Sequence, residues 1–195
     1  MNPPLPPPDI DQRRPENLLL GTGAIFHRFY TSAFDPTYFD RGRGGRLNAP
    51  DGLFGVLYAA ATRGGAFAET FLRVPGRTLL PPDLISSKAY VAFRVTRPLK
   101  LAKLTGSGLA RVGATAEVTH GSLPYDIPQS WSAALHGHPG GFDGIAYTAR
   151  HDDEELCFAV FERASDAIEE VEREIDLEAD WFYDLLDRYG LGLAA

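Results

Sequence analysis

At 195 residues, 44% hydrophobic and 23% charged, the chain suits one domain long enough to close a core. A formal net charge of −7 excludes a general basic face for nucleic acid, while leaving room for a local basic pocket. The single cysteine, Cys157, excludes an internal disulfide framework, and no leader-like or membrane-length apolar run occurs, so the sequence reads as cytoplasmic.

Residues 1–16, MNPPLPPPDIDQRRPE, are proline-rich with little to bury, and read as an extended arm lying on the surface of a domain that occupies 17–195. The alternation in AIFHRFY (24–30) predicts a strand with Phe26, Arg28 and Tyr30 on one face. A long turn-rich loop, rich in glycine and arginine around GRGGRLNAPDG, follows; such loops are functional or mobile. GVLYAA is a short strand ending near Tyr58, and Thr62 is placed to cap a helix over RGGAFAETFLRV. The two glycines there weaken the helix but permit close backbone approach to the sheet or to a ligand.

AYVAFRV (89–95) and LKLAKL (99–104) read as strands, SGLARVG as a short helix, and the segment after Pro128 as a longer one. GIAYTA (144–149) and LCFAVFER (156–163) are expected to form a hairpin across the charged turn RHDDEE. The last helix, at about 176–189, is amphipathic, with Leu177, Trp181, Leu185 and Tyr189 on one face and Gly190 as its stop. Strands with scattered helices, rather than regular βαβ alternation, predict a single α+β domain with a mixed or antiparallel sheet and flanking helices.

Familiar catalytic signatures are missing. There is no phosphate-binding P-loop, GTG at 21–23 follows no strand, and no Gly-x-Ser-x-Gly elbow occurs. His136 and His138, with one distant cysteine, make no metal motif, so no metal is expected. What remains is Arg28, Arg46, Tyr58 and Glu69. Arg28 in a buried strand is costly unless it meets an anion, and Arg46 sits among glycines whose amides also suit one. Glu69 lies in a helix otherwise lined by Ala66, Phe67, Ala68, Phe71 and Leu72. These residues admit two readings. One is a buried Arg28–Glu69 ion pair with Tyr58 in the core. The other is a nucleotide site: arginines on a pyrophosphate, Tyr58 under a base, and Glu69 beside a ribose whose N-glycosidic bond breaks through an oxocarbenium-like state.

FHRFY with Arg28, GGRLNAPDGLFGVLYAA with Arg46 and Tyr58, AFAE with Glu69, and FDGIAYTARHDDEELCFAVFERA together resemble the RES-domain family, over roughly residues 21–164. The resemblance implies a fold similar to that of ADP-ribosyltransferases. It implies a toxin paired with an Xre-like antitoxin in a hetero-oligomer, with any DNA contact made by the antitoxin. It also implies consumption of NAD by phosphorolysis or hydrolysis of the nicotinamide–ribose bond, with inorganic phosphate as a co-substrate, or by ADP-ribosyl transfer to a cellular target. In these terms Glu69 and Arg28 are catalytic, Arg28 and Arg46 hold phosphates, and Tyr58 packs at the nicotinamide end. Ala149 stands where the family's serine contacts the cofactor, and Thr148 points to the opposite face. That departure leaves open a RES fold that binds a partner or nucleotide without turnover.

Overall fold

Segments rich in valine, alanine and aromatic residues assemble into one eight-stranded sheet, which a computed structural model describes over residues 3–194. In chain order the elements are β1 (Asn17–Leu20), β2 (Ile25–Thr31), β3 (Val56–Ala60), α1 (Arg63–Phe71), β4 (Leu79–Leu80), α2 (Pro82–Ser86), β5 (Lys88–Val95) and β6 (Leu99–Lys103). They continue with α3 (Ser107–Val112), α4 (Glu117–His120), α5 (Asp126–Gly137), β7 (Gly144–Ala149), β8 (Asp152–Phe161), β9 (Ile168–Glu174), α6 (Asp180–Arg188) and β10 (Gly192–Leu193). The sheet order is β1-β6-β7-β8-β3-β2-β5-β9. Only β6 and β7 run parallel within it, so the sheet is mixed and the domain is α+β. β4 and β10 form a separate two-stranded ribbon.

Both faces of the central strands are buried, and the period-2 alternation sorts their side chains into two cores. Val56 and Ala60 of β3, Tyr90 and Ala92 of β5, and Cys157 and Phe161 of β8 join the core beneath α1, α5 and α6. Leu57, Val91, Phe93, Phe158 and Val160 face the other way, into a core closed by Ala164 and Ala167 and by partly buried Leu18, Leu20 and Phe39. β2 divides likewise, with Phe29 in the first core and Phe26 and Tyr30 in the second.

Several elements depart from the sequence reading. β1 and β9 were not anticipated. IEEVERE has too many charges to look like a strand, yet it pairs with β5 at the sheet edge, where glutamates on the open side discourage further pairing. α6 is shorter than 176–189: Ala179 is extended, and the residues before it lie outside the helix. Its buried stripe is Phe182 and Leu186, with Trp181, Leu185 and Tyr189 half-buried along the flank. α5 begins at Asp126, because Pro128 falls in the first turn, where no amide is needed. Of the arm expected at 1–16, residues 1 and 2 lie outside the described residues. The rest is tethered: Trp131 Nε1 donates to Pro4 O at 2.7 Å, Arg13 donates to Val112 O at 2.8 Å, and Ile10 is buried. Among the described residues, no helix is long and apolar enough to cross a membrane.

Phe182 docks α6 against an aromatic cluster, with its ring centroid 5.5 Å from Phe71, 5.6 Å from Phe67 and 6.1 Å from Phe29. Phe182→Ala is expected to cost about 3–5 kcal/mol of unfolding free energy, read from the midpoint of urea denaturation at unchanged m-value.

Candidate active site

β2 and β3 are neighbours in the sheet, yet they pair at one register position, His27 opposite Ala60. Beyond it the two strands are unpaired, and Phe34, Asp35, Tyr38, Asp40, Gly44, Gly45 and Arg46 of the loop between them line the space. A cavity of about 560 Å³ occupies this seam, a size suited to a small-molecule ligand. Arg28, Arg46, Tyr58 and Glu69, far apart in the chain, all line it.

Arg28 spans the seam: its Nη1 donates to Tyr58 O at 3.0 Å. Its Nε is buried without a hydrogen-bond partner, and burial pushes the guanidinium down to about 10 despite the charge of nearby Asp40. No carboxylate lies within ion-pair distance of Arg28 among the described residues, so the buried Arg28–Glu69 pair does not form. A half-buried cation without a pairing carboxylate is costly, and an anion entering the cavity would offset the cost of its charge.

Tyr58 occupies the middle of β3 rather than its end. Its hydroxyl accepts from Leu47 N–H at 2.8 Å and donates to Asn48 Oδ1 at 2.8 Å, and burial raises it well above the ordinary phenol range. Asn48 is fully buried and donates through Nδ2 to Asp40 Oδ2 at 2.8 Å and to Gly42 O at 2.7 Å. From α5, Gln129 donates to Arg43 O and Gly45 O, both at 3.0 Å, and Ser132 donates to Leu47 O at 2.6 Å. The glycine-rich loop is therefore clamped between β3 and α5. Gly45 is required there, because a Cβ would meet Asn48 Oδ1 at 2.2 Å and the Tyr58 hydroxyl at 2.7 Å. Arg46 leaves this loop toward the cavity, with Nε on Gly121 O at 3.3 Å and its guanidinium 5.5 Å from the Tyr125 ring centroid.

α1 carries Glu69 to the opposite wall. Thr62 caps the helix, accepting from Gly65 N–H at 2.9 Å, and its hydroxyl also donates to buried Glu155. The two glycines serve the packing of α1: a Cβ on Gly64 would meet Glu155 and Arg188, each at 2.6 Å, and one on Gly65 would meet Ala60 at 2.9 Å. Glu69 Oε1 accepts from the Arg150 N–H at 3.1 Å, and Oε2 accepts from the Tyr147 hydroxyl at 3.4 Å. Tyr147 is buried, which raises its hydroxyl far above the phenol range, with the Glu69 charge acting in the same direction. It therefore stays a donor to the carboxylate.

Ala149 does not stand in this cavity. It is fully buried in the first core, at a register shift between Thr148 and Ala149 where β7 turns toward β8. Of the sequence-expected site residues, Arg28, Arg46, Tyr58 and Glu69 line the cavity and Ala149 does not. Thr148 points away, its hydroxyl 3.5 Å from His120 Nε2. The residues that serve the site from this corner are Tyr147 and Arg150, which the sequence reading passed over as flanks of Ala149. Asn48, Gln129 and Ser132 were missed as well. Only the asparagine inside the glycine-rich loop carried a signal, since a loop asparagine often serves the backbone around it.

The cavity lining holds five cationic side chains, Arg28, Arg46, Arg73, Lys88 and Arg150, against three carboxylates, Asp35, Asp40 and Glu69. Eight other basic residues pair with carboxylates elsewhere, and none of these five does among the described residues. A chain of net charge −7 thus keeps a net positive cavity.

Comparison with known proteins gives two findings. A family model described as the RES domain matches residues 24–183, most of the chain. A chain in the crystal structure of the M. tuberculosis MbcT-MbcA toxin-antitoxin complex superposes with a TM-score of 0.67. The match has 16% sequence identity and covers 93% of this chain and 98% of that one, a likeness of fold. No curated protein sequence matches the chain.

Tyr58→Phe would leave Leu47 N–H without its acceptor and Asn48 Oδ1 without its donor. It is expected to destabilise the fold by about 1–3 kcal/mol, measured by urea denaturation, through loosening of the clamped loop.

Proposed function

This chain belongs to the RES-domain family, and from that premise we propose that it is the toxin of a toxin–antitoxin pair, breaking the nicotinamide–ribose bond of NAD. The observation that carries the reading is half-buried Arg28, with no ion-pair partner among the described residues, in the same cavity as a carboxylate held by two donors. A dinucleotide brings a pyrophosphate for Arg28 and Arg46, whose planar forks suit phosphate oxygens. It also brings a ribose for Glu69. Tyr58 forms part of the cavity wall; its hydroxyl is committed to Leu47 and Asn48, so its ring is the part that faces a ligand.

In this mechanism the C–N bond to nicotinamide breaks with its electron pair moving onto the ring nitrogen. The cationic pyridinium leaves as a neutral amide-bearing ring, so no general acid is needed. Positive charge develops on the ribose, and the Glu69 carboxylate stabilises it while accepting from ribose hydroxyls. The Tyr147 hydroxyl and the Arg150 amide fix the carboxylate's orientation before substrate arrives, so little reorganisation is needed as the charge develops. A phosphate oxygen then bonds the anomeric carbon, giving ADP-ribose 1″-phosphate. Water in its place gives ADP-ribose and releases one proton. The partner of such a toxin would be an Xre-like antitoxin.

Purified protein incubated with NAD is expected to release nicotinamide, faster when inorganic phosphate is present. Glu69→Gln should lower kcat by about 10²-fold or more with the fold intact, since it removes the charge opposite the developing cation. Undiminished release by that variant would refute the role of Glu69. Label from adenylate-labelled NAD appearing on protein in a cell extract would replace phosphorolysis with ADP-ribosyl transfer. Nucleotide binding without nicotinamide release would reduce the function to binding.

A further inference from the structure

We propose that Arg73 and Lys88 join Arg28 in a binding site for a phosphate-type oxyanion within this cavity. The proposal deepens the NAD reading and rests on it only in that both require an anionic ligand in this cavity.

Three observations carry it. Arg73 follows α1 directly, and Lys88 opens β5 beside the last residue of β2, opposite Thr31. Both line the cavity that holds Arg28. Arg46 is tied instead to Gly121 O and lies over the Tyr125 ring.

The second observation is the absence of a counter-charge. Lys88 Nζ donates to Thr31 Oγ1 at 3.0 Å, and Arg73 Nε donates to Glu69 O at 2.7 Å; neither forms an ion pair among the described residues. The cavity's three carboxylates take their hydrogen bonds elsewhere, Glu69 from the Tyr147 hydroxyl and the Arg150 N–H. Asp35 Oδ1 accepts from Thr37 N–H at 2.7 Å and from the Thr37 hydroxyl, and Asp40 accepts from Asn48 Nδ2 and Gly42 N–H, each at 2.8 Å.

The third is mutual repulsion. Lys88 is held below its ordinary range first by burial and then by the like charges of Arg73 and Arg28, so both arginines act on it across the cavity. Folding alone does not favour such an arrangement. An oxyanion in the cavity would accept from the Arg28 guanidinium, the terminal nitrogens of Arg73 and the Lys88 ammonium together. The same chemistry comes from free inorganic phosphate or from a phosphate of the dinucleotide.

The test titrates inorganic phosphate, and separately NAD, calorimetrically into the full chain and into Arg73→Gln, Lys88→Gln and Lys88→Arg. Arg111→Gln, at an exposed site away from the cavity, controls for loss of one positive charge. Thermal melting and far-UV dichroism establish that each variant is folded. The two glutamine variants should weaken phosphate binding by about tenfold or more, and Lys88→Arg should retain it. Loss of NAD affinity with phosphate affinity unchanged would assign the site to the dinucleotide's own phosphates, which also supports it. Effects on both ligands no larger than those of Arg111→Gln would overturn the proposal, while nicotinamide release could still stand. Phosphate binding that depends on Arg73 and Lys88, in a protein that does not bind NAD, would uphold the oxyanion site and sink the NAD reading.

Discussion

One guanidinium sets the terms for the rest of the molecule. Arg28 sits in a strand flanked by Phe26 and Tyr30, in a sheet buried on both faces, with a single hydrogen bond to Tyr58 O and an idle Nε. A charge so placed lowers stability, and natural cores tolerate one where a carboxylate or a ligand answers it. No carboxylate pairs with it among the described residues. The separation of β2 from β3 beyond the His27–Ala60 pair belongs to the same arrangement, because a continuous ladder would leave no seam for the side chain or for an anion beside it.

The elements around the seam hold it open. On one side Tyr58, Asn48, Gln129 and Ser132 bind the backbone of the glycine-rich loop at several points, so that loop is fixed by β3 and α5 rather than by its own sequence. On the other side α1 lies close against β3 because Gly64 and Gly65 have no Cβ to hold it away. Buried Glu155 joins the cap of α1 to Arg188 at the end of α6, with a 2.9 Å ion pair. Breaking that pair by removing either partner would leave a charge behind, at a helix end two turns from Glu69. The C-terminal helix thereby fixes the wall that carries the carboxylate without itself lining the cavity.

Much of this was legible in the sequence, and the pattern of success has a physical cause. Strands whose residues are apolar on one or both faces announce themselves through composition, which is why the central strands and the Thr62 cap were found. β9 was not, because at an edge pairing is backbone-driven and the open side selects charge. α6 was placed too early and its stripe drawn one position off, since Leu177 is buried without being helical. In the site, arginines and a lone acid in apolar company stood out by their cost. Tyr147, Arg150, Arg73 and Lys88 did not, because each looks ordinary until the fold brings it beside the others. Ala149 stood out through family resemblance alone, and its side chain is buried in the core rather than lining the cavity.

The distribution of charge links these local features. The exterior is acidic, with glutamates along β9 and aspartates on α6, while the cavity is lined by five cations, without ion pairs among the described residues, against three carboxylates. Field lines from such a cavity are focused by its low-dielectric walls, so an anionic ligand is drawn to the seam even though the whole molecule would repel it at long range. At physiological salt the Debye length is about 8 Å, which screens the distant acidic surface more than the enclosed cations. An acidic protein can therefore select a small anion that fits the seam, and disfavour extended polyanions that would have to lie across its negatively charged exterior.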